Sequence, residues 1–561
     1  MFTRQSPSAV ALLPGTVWRH YFFATPQRRA DNIGRPTVAG QDFDFCVSRR
    51  LFLAGSASAA LMAGISPRLA LASDRPALPI PAEMRADPAG TIKLSAQAST
   101  MNFLPGVATP TYGINGPYLG PALRVRRGDT VNMDVRNTLA EPVTMHWHGL
   151  EIPGDDDGGP AEAIAPGATW KPSLTIDQPA ATCWFHPHYY PSTAELVLKG
   201  LAGLFIIEDD DTDRLPLPST WGVDDIPIII QDRRFNPDGS FFHRFNLAAV
   251  TVGYVGDTVL VNGAINPVAS TAKGWLRLRL LNGSNARSYQ LAFSDDRPFY
   301  VIASDGGLLA QPVRMNSLPL HAGERYEILV DARDGSAFDL VTSPVMQMAM
   351  NLPPFDQTLP VMTFSPDGAE TEGTMPDALA TLPPLSSSQD LQTQDLKFGM
   401  NLDAEGMGLF MKAGLPKMRA GGSTDPEIAK AVEQVILEGP DLTQEAQLSA
   451  NNINGVSFAL NKVNFDLPID TDLRMVFSEG TDKMLHPVHV HGCQYRVVTV
   501  NGDPAPEYMQ GWKDTAAISQ GGTVEVQVRF KHPATAEKPY MAHCHILEHE
   551  DSGMMAAFTV S

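Results

Sequence analysis

The chain has little cysteine, with only four residues among 561: Cys46, Cys183, Cys493 and Cys544. A fold held together by several disulfides is therefore excluded. Sustained helical patterns are also scarce, whereas glycine and proline number 46 each. These features favour an all-β protein. The length exceeds what one hydrophobic core serves and suits three domains of about 150 residues each.

The chain also has few positively charged residues relative to acidic ones, and few long apolar runs. Lysine and arginine number 42 against 62 aspartate and glutamate, a formal net charge of −20. Such an acidic surface argues against nucleic acid as a partner and suits a metal cation. The one apolar stretch near the N-terminus is too short and too rich in alanine for a membrane span, so none is expected.

The N-terminus carries the pattern of an export signal. Residues 48–53, SRRLFL, form a twin-arginine motif, and Ala70-Leu71-Ala72 after the apolar stretch is typical of a cleavage site. We therefore assign residues 1–72 to an N-terminal extension and twin-arginine signal peptide. This predicts a periplasmic protein, exported by the twin-arginine pathway, with Cys46 in the part that is removed.

Ten of the 14 histidines fall in four short clusters. The clusters are His146-Trp-His148, His186-Pro-His188, His486-Pro-Val-His489-Val-His491, and His543-Cys544-His545 followed by His549. In a β-strand, residues i and i+2 point to the same side, so each His-x-His pair offers two nitrogens to one place. The last cluster continues to Met554. A thiolate, imidazoles and a distant thioether form the ligand set of a type 1, or blue, copper site. The clusters together predict a copper protein with several metals.

Cys544 stands between two histidines of the last cluster. If its side chain points to one side of a strand, His543 and His545 point to the other, so that the thiolate and its neighbours bind different metals. The backbone of one residue then joins the two centres over a gap on the order of 10 Å, which suits one-electron transfer. Zinc is the alternative, because it also takes Cys and His, but it rarely uses Met and has no use for this bridge.

The chain resembles a three-domain multicopper oxidase, most closely the bacterial periplasmic cuprous oxidases of copper efflux, with laccases as relatives. The resemblance covers residues 90–561 and is carried by HWHGLEIPGDDDGGP from residue 146, TCWFHPH from 182 and YMAHCHILEHEDSGMM from 540. It implies three tandem cupredoxin-like Greek-key β-sandwiches. It also implies a reaction that couples one-electron oxidation of a reductant to four-electron reduction of dioxygen to water.

The resemblance further implies four copper ions and their ligands. Type 1 copper takes His486, Cys544, His549 and axial Met554. Type 2 copper takes His146 and His489. The type 3 pair takes His148, His186, His188, His491, His543 and His545. The first two histidine clusters lie in the first domain and the other two in the last domain. The trinuclear site is therefore expected between the outer domains.

Two acids match proton-relay positions of the family. Asp157 matches the acid beside the trinuclear site, and Glu550, directly after ligand His549, matches a second relay acid. The alternatives from composition are a turn residue in an acidic loop for Asp157 and a solvated surface acid for Glu550.

A threefold repeat supports the number of domains. Ile114-Asn115-Gly116, Val261-Asn262-Gly263 and Ile453-Asn454-Gly455 are turn signals, each followed by a strand that opens with Leu-Arg. We place the domains at residues 80–215, 220–370 and 390–561. The middle domain holds only His243 and His321, without a ligand motif, and is interpreted as a spacer that sets the outer domains face to face. We expect a monomer.

Four residues near the type 1 ligands bear on the reductant. Asp482 and Met484 precede His486 by four and two residues, while Met400 and Asp403 resemble the family segment that completes a cuprous site. Thioethers suit cuprous ion, and carboxylates neutralise its charge. Alternatively, the methionines are core fillers and Asp482 only orients the histidine.

The reductant is therefore predicted to be cuprous ion, with a small organic donor such as a phenol as the alternative. The Met- and His-rich insert that the most similar cuprous oxidases carry is nearly absent here, which keeps the organic donor open. Two other classes are a copper-storage protein without turnover and a structural cell-envelope protein on the same fold. The Cys-His bridge argues against the first and the complete ligand set against the second.

Cys183 and Cys493 lie within three residues of His186 and His491. They could pair as a disulfide, because the strands that hold those histidines converge on one site. Two buried free thiols are the alternative, and the one we prefer.

Overall fold

Strands dominate the structure, a computed structural model that describes residues 75–345, 358–387, 391–414, 426–480, 482–519 and 521–561. The predicted all-β class is confirmed. The described strands form six sheets, two in each of three successive stretches that we name the first, middle and last β-units: residues 83–208, 225–370 and 392–560. The boundaries proposed for the domains stay predictions. The extension and signal predicted at 1–72 lie outside the described residues.

The first β-unit pairs two sheets around one core. Its strands are β1 Glu83–Met84, β2 Thr91–Met101, β3 Thr109–Ile114, β4 Ala122–Arg126, β5 Thr130–Asn137, β6 Thr169–Trp170, β7 Ser173–Thr175, β8 Ala181–Phe185 and β9 Gly203–Glu208. The sheet orders are β1-β4-β9-β8 and β3-β2-β5-β6, with β7 also on β5. In β5, Val131, Met133 and Val135 alternate with more exposed residues and enter a core shared with β4. This period of two is what a half-buried strand requires.

The middle β-unit is built in the same way. Its strands are β10 Asp225–Arg233, β11 Thr258–Val261, β12 Ala264–Ile265, β13 Val268–Lys273, β14 Trp275–Asn282, β15 Tyr289–Phe293, β16 Phe299–Ser304, β17 Gly307–Met315, β18 Ser317–Leu320, β19 Arg325–Asp331, β20 Phe338–Ser343 and β21 Leu359–Glu370. The sheet orders are β12-β11-β10-β14-β19-β16-β17 and β13-β21-β20-β15-β18.

The last β-unit contains the strands that hold most of the metal-binding motifs. They are β22 Gln392–Met400, β23 Asn451–Ile453, β24 Val463–Leu467, β25 Leu473–Glu479, β26 His486–Val490, β27 Tyr495–Val500, β28 Asp503–Pro504, β29 Trp512–Lys513, β30 Thr515–Ile518, β31 Thr523–Val528, β32 Tyr540–Cys544 and β33 Met555–Val560. One sheet has the order β23-β22-β25-β31-β27-β28, with β29 on β27. The other has the order β24-β33-β32-β26-β30.

The predicted repeat is visible in three asparagine turns with the same geometry. Asn115, Asn262 and Asn454 all have positive φ, between 50° and 57°, a conformation that asparagine tolerates better than most residues. Each side-chain oxygen accepts the backbone N–H of a strand residue, and each amide nitrogen donates to the carbonyl two residues earlier in that strand. The strands are β2, β10 and β22, one in each β-unit.

Short helices connect and cover the sheets. They are α1 Thr193–Leu198, α2 Asp210–Asp213, α3 Leu247–Val252, α4 Asp403–Lys412, α5 Pro426–Glu438, α6 Gln444–Leu448 and α7 Leu547–Asp551. Two carboxylate oxygens of Asp551 accept the backbone N–H groups of Thr193 and Ala194 at 3.0 and 2.8 Å, so α7 of the last β-unit is fixed to α1 of the first. Among the described residues, no helix is both long and apolar enough to cross a membrane.

Substitution of Gly253, which packs against Ile546 of the last histidine motif, tests how tightly the middle and last β-units contact each other. Gly253 follows α3 with φ of 76°, and a Cβ there would lie 2.7 Å from a side-chain carbon of Ile546. Gly128 also has positive φ, 95°, but open space around it. We expect Gly128→Ala to cost about 1 kcal/mol for the backbone alone, and Gly253→Ala to cost about 1–3 kcal/mol more through overpacking. Thermal unfolding of the two variants measures the difference, and equal losses would contradict the tight contact.

Candidate metal centre

Two antiparallel strands of the last β-unit hold most of the donor side chains. In the pairing of β26 with β32, Val488 lies opposite Cys544 and His489 opposite His543. Opposed residues project to the same face of a sheet, and successive residues project to opposite faces. Cys544 therefore packs in the core of the last β-unit with Val488, while His543 and His489 face the first β-unit. This is the separation that the sequence alternation predicts.

Among the described metal-binding groups, one includes a cysteine, Cys544. The Sγ of Cys544 lies 3.5 Å from Nδ1 of His486 and 3.7 Å from Nδ1 of His549. All three side chains are fully buried, and so is Met554, whose carbonyl accepts the Cys544 N–H at 3.1 Å. The N–H of Ile546 points at the sulfur at 3.4 Å. We name these four side chains, without Ile546, the cysteine site.

Eight further histidines gather between the first and last β-units, and we name them the imidazole cluster. They form three groups in which the ligand nitrogens lie within 4.8 Å of one another: His146, His148 and His489; His148, His186 and His545; His188, His491 and His543. Every member is at most 1% exposed. Each group takes donors from both β-units, so neither unit forms any of the groups by itself.

Hydrogen bonds fix the orientation of most of these rings. Backbone carbonyls lie 2.8 to 3.1 Å from Nδ1 of His146, His186, His489 and His543. A ring that donates its outer N–H to such an oxygen turns the lone pair of its other nitrogen inward. Among the described residues, the inner nitrogens of His146, His148, His186 and His489 have no hydrogen-bond partner, and neither nitrogen of His545 has one. Buried nitrogens are rarely left unpaired, and imidazole suits copper, so these side chains fit copper ions.

Burial keeps the rings in the form that binds metals. Burial first, and the charges of nearby groups second, hold the pKa of most members well below the usual value: His148, His186, His188, His489, His491 and His545. In the cysteine site, burial lowers the pKa of His549 to about 3. These seven rings are therefore neutral at neutral pH and need not release protons before a metal binds.

Each of the two predicted acids lies between histidines of the cluster. The Oδ2 of Asp157 is 2.8 Å from Nδ1 of His491 and 3.5 Å from Nδ1 of His146. The two carboxylate oxygens of Glu550 are each 3.2 Å from an Nδ1, one of His188 and the other of His543. Glu550 is fully buried, so the alternative of a solvated surface acid is wrong. Their part in proton transfer stays a prediction.

Sequence reasoning missed a third carboxylate, that of Asp514. Its Oδ1 lies 3.0 Å from Nε2 of His148, and its carbonyl oxygen lies 2.8 Å from Nδ1 of His489. The guanidinium of Arg325, from the middle β-unit, holds the same carboxylate. Asp514 and His148 are 366 residues apart in the chain. No motif spacing connects them, and only the tertiary structure reveals the contact.

The residues predicted to bind a reducing metal lie around His486 to different degrees. Asp482, with a 1% exposed side chain, lies 3.1 Å from Nε2 of His486 through Oδ1, which also accepts the Met484 N–H. Asp403 begins α4. Its partial burial first, and then the negative charge of nearby Asp482, raise the pKa of its carboxyl group. Met484 is buried in the core of the last β-unit, and half-buried Met400 packs against that core.

A further acid near Asp482 escaped prediction. Glu479 ends β25 and is 6% exposed, and neither of its carboxylate oxygens has a hydrogen-bond partner among the described residues. Burial first, and then the charge of Asp482, raise its pKa to about 7. A period-two strand pattern places it facing inward, but only the fold brings it next to Asp482.

The remaining candidates lie apart from the donor groups. Cys183 and Cys493 are free and buried, as preferred over a disulfide, and burial raises the pKa of Cys183 to about 12. His321 of the middle β-unit lies 3.0 Å from the hydroxyl of Ser288. The other histidine there, His243, belongs to none of the described metal-binding groups.

Comparisons with known proteins agree with this geometry. Family models described as multicopper oxidase match residues 95–212, 243–369 and 430–561. The multicopper oxidase mco of Staphylococcus aureus is 34% identical over 471 residues, which cover 83% of this chain and 88% of that protein. The chain belongs to the multicopper oxidase family.

Other similar members of the multicopper oxidase family carry different names. Cell division protein FtsP of Yersinia pestis is 36% identical over 512 residues, 90% of this chain and 97% of that protein. The solved structure of CueO from Ochrobactrum sp. is described as a laccase-like multicopper oxidase with oxidase activity towards lignin model compounds and lignosulfonate. It is 34% identical, with a TM-score of 0.73, and the match covers 86% of this chain and all of that one.

Removal of copper tests the imidazole cluster. Because its donors come from two β-units, bound copper should stabilise the folded chain, by about 4 kcal/mol for a site at a thousandfold excess over its Kd. We expect His545→Gln to lose much of the difference in Tm between copper-loaded and chelator-treated protein. His321→Gln, outside the cluster, serves as the control and should keep it. Equal copper-dependent shifts in both variants and the wild type would contradict the assignment.

Proposed function

We propose that this protein is a copper-dependent oxidase that couples one-electron oxidation of a reductant to four-electron reduction of dioxygen to water. The observation that carries the proposal is the position of Cys544. Its sulfur belongs to one donor group, while His543 and His545, its direct neighbours, belong to two others. A zinc or storage protein gains nothing from joining separate metal sites through one residue, whereas an electron-transfer enzyme depends on it.

The proposal assigns four copper ions. In the cysteine site, His486, Cys544 and His549 would hold type 1 copper, with the thioether of Met554 as a fourth, weaker ligand. His146 and His489 bind type 2 copper. The type 3 pair is bound by His148, His186 and His545 on one side and His188, His491 and His543 on the other. The three imidazole groups of the structure support this division. Two of them are the two sets of three just named, and the third consists of His146 and His489 together with His148, which it shares with the first set.

Copper, when bound, supplies the one-electron chemistry that links the donor to dioxygen. The chain supplies the connection between the two sites. The carbonyl of Cys544 lies 3.1 Å from Nδ1 of His543, which adds a hydrogen-bonded link to the covalent one. The N–H of His545 donates to the carbonyl of Pro487 at 2.6 Å, which fixes this segment to the strand that begins at His486.

Reduction of dioxygen to water consumes protons, and buried acids support their delivery. We assign Asp157 and Glu550 to this role, as general acids. Both are buried beside the imidazole cluster, and each contacts two rings of it. Among the described residues, neither carboxylate oxygen of Glu550 has a hydrogen-bond partner, so both are available for proton transfer.

Cuprous ion is the proposed reductant. The rings of His486 and His549 have no exposed surface, and Asp482 caps the Nε2 edge of His486. A bulky phenol therefore finds no open imidazole edge, whereas a small cation gains from the carboxylates of Asp482 and Asp403. The burial of Met484 in the core favours the alternative that it is a filler. Together with the activity described for the Ochrobactrum relative, this keeps a laccase-type oxidation of organic donors as the second candidate.

The names of the FtsP relatives suggest a role in cell division, without oxidase activity, as another candidate. Complete and convergent donor groups favour the oxidase, because a structural protein needs no buried, unpaired imidazole nitrogens. Absorbance of the copper-loaded protein decides between them. An intense blue thiolate-to-copper band with oxygen uptake supports the oxidase, and a colourless, inactive protein contradicts it. We further propose that the protein is periplasmic, on the basis of the twin-arginine motif at 48–53, and the expected monomer stays a prediction.

Two substitutions in the cysteine site should differ in outcome. Cys544→Ser should give a colourless protein without oxygen uptake, because a hydroxyl is a poor copper ligand and the electron path runs through the sulfur. Met554→Leu should stay blue and show a higher reduction potential, because an axial thioether is a weak ligand. Absorbance, redox titration and oxygen uptake measure these properties. Turnover in the serine variant, or loss of colour in the leucine variant, would refute the respective assignment.

Replacement of Asp482 and Met484 by alanine separates the two reductants. We expect the double variant to lose at least about tenfold of its oxygen uptake with cuprous ion, as one lost charge-assisted contact implies. Uptake with a bulky phenol should be kept or raised, because the edge of His486 becomes accessible. An equal loss with both donors would mean that Asp482 only supports its histidine.

A further inference from the structure

Arg325 is a fully buried arginine with no exposed surface, at the start of β19 in the middle β-unit. Its guanidinium forms a two-pronged ion pair with Asp514 of the last β-unit. Nη1 lies 2.7 Å from Oδ1, and Nη2 lies 2.5 Å from Oδ2. Paired hydrogen bonds of this kind fix the plane of the carboxylate as well as its position.

All five N–H groups of this guanidinium have acceptors. Besides the two bonds to Asp514, Nε donates to the carbonyl of Thr182 at 3.0 Å, Nη1 to that of Gly323 at 3.1 Å and Nη2 to that of Asp305 at 3.2 Å. Thr182 lies in β8 of the first β-unit, in the strand that leads to His186. Arg325 is therefore held by all three β-units at once.

The carboxylate that Arg325 fixes contacts the imidazole cluster. Asp514 accepts at Oδ1 from Nε2 of His148, and at its carbonyl oxygen from Nδ1 of His489. The rings of these two histidines are stacked with centroids 3.6 Å apart, although one belongs to the first β-unit and the other to the last. A change in the tilt of this carboxylate would therefore turn the ring of His148 directly, and would disturb His489 through the stacked contact between the two rings.

We infer that Arg325 is a positioning residue for the copper cluster, acting through Asp514 on His148 and His489. The inference rests on the proposed copper chemistry of the imidazole cluster. It gives the middle β-unit a direct part in the metal site, in addition to the spacer role that the sequence suggests. An arginine suits the place because only a planar fork satisfies five acceptors in fixed directions.

The test compares three purified, copper-loaded variants with the wild type. Arg325→Met removes the charge and the fork, and Arg325→Lys keeps the charge without the fork. Arg279→Met is the matched control, because Arg279 is also a buried arginine of the middle β-unit. Its hydrogen bonds go to Asp225, Glu327 and Thr182 rather than to a partner of the cluster. The readouts are copper per chain after dialysis against a chelator, the electron paramagnetic resonance signal of type 2 copper, the blue band and Tm.

We expect both Arg325 variants to keep the blue band and to show an altered or missing type 2 signal. Copper at the cluster should bind about 10- to 100-fold more weakly in Arg325→Met, as is typical when an outer partner of a metal ligand is lost, and less so in Arg325→Lys. Arg279→Met should lower Tm and leave copper content and both spectra unchanged. If Arg325→Met does not fold, Arg325→Lys decides.

Two results would overturn the inference. Wild-type copper content and type 2 signal in the Arg325 variants, with only Tm reduced as in the control, would make this arginine a purely structural ion pair. Equal spectral changes in Arg279→Met would mean that any damage to the middle β-unit disturbs the cluster. A wild-type chain that binds no copper is a different failure, since it refutes the proposed function and the inference falls with it.

Discussion

The structure depends on one constraint, which is that buried imidazoles must be neutral, oriented and paired on only one edge. Eight rings share a space closed off from the surface of the protein, and charge on any of them would be costly there. Carbonyls and carboxylates accept hydrogen bonds from the outer edges of most of these rings, so that the inner lone pairs converge. The two sheet pairs that flank the cluster, the acids between the rings and the arginine behind Asp514 all serve this arrangement.

The strand pattern and the motifs together made much of the fold and site predictable. Alternation along β26 and β32 is a local property of the backbone, so the separation of Cys544 from His543 follows from their order in the chain. The asparagine turns could be predicted for the same reason, since the residue itself favours the required conformation. The ligand roles came from the resemblance, and the convergence of the donors into groups supports them.

Other parts of the site could not be predicted, because they depend on contacts across the fold. Asp514, Arg325 and Glu479 are ordinary charged residues in ordinary strand contexts, and their significance comes from partners far away in the chain. The burial of Glu550 follows from α7 packing against α1, which no local pattern encodes. Residue type and spacing identify ligands, whereas the groups that orient the ligands are identified only by packing.

The division of donors between residues 146–188 and 486–549 also has a consequence for biosynthesis. The first four imidazoles leave the ribosome long before their partners exist, and a chain that lacks the last β-unit can present only one or two of the three members of each group. The imidazole cluster is therefore complete only after translation has passed His545 and the first and last β-units have docked. A fragment that lacks either the first or the last β-unit therefore cannot complete the cluster.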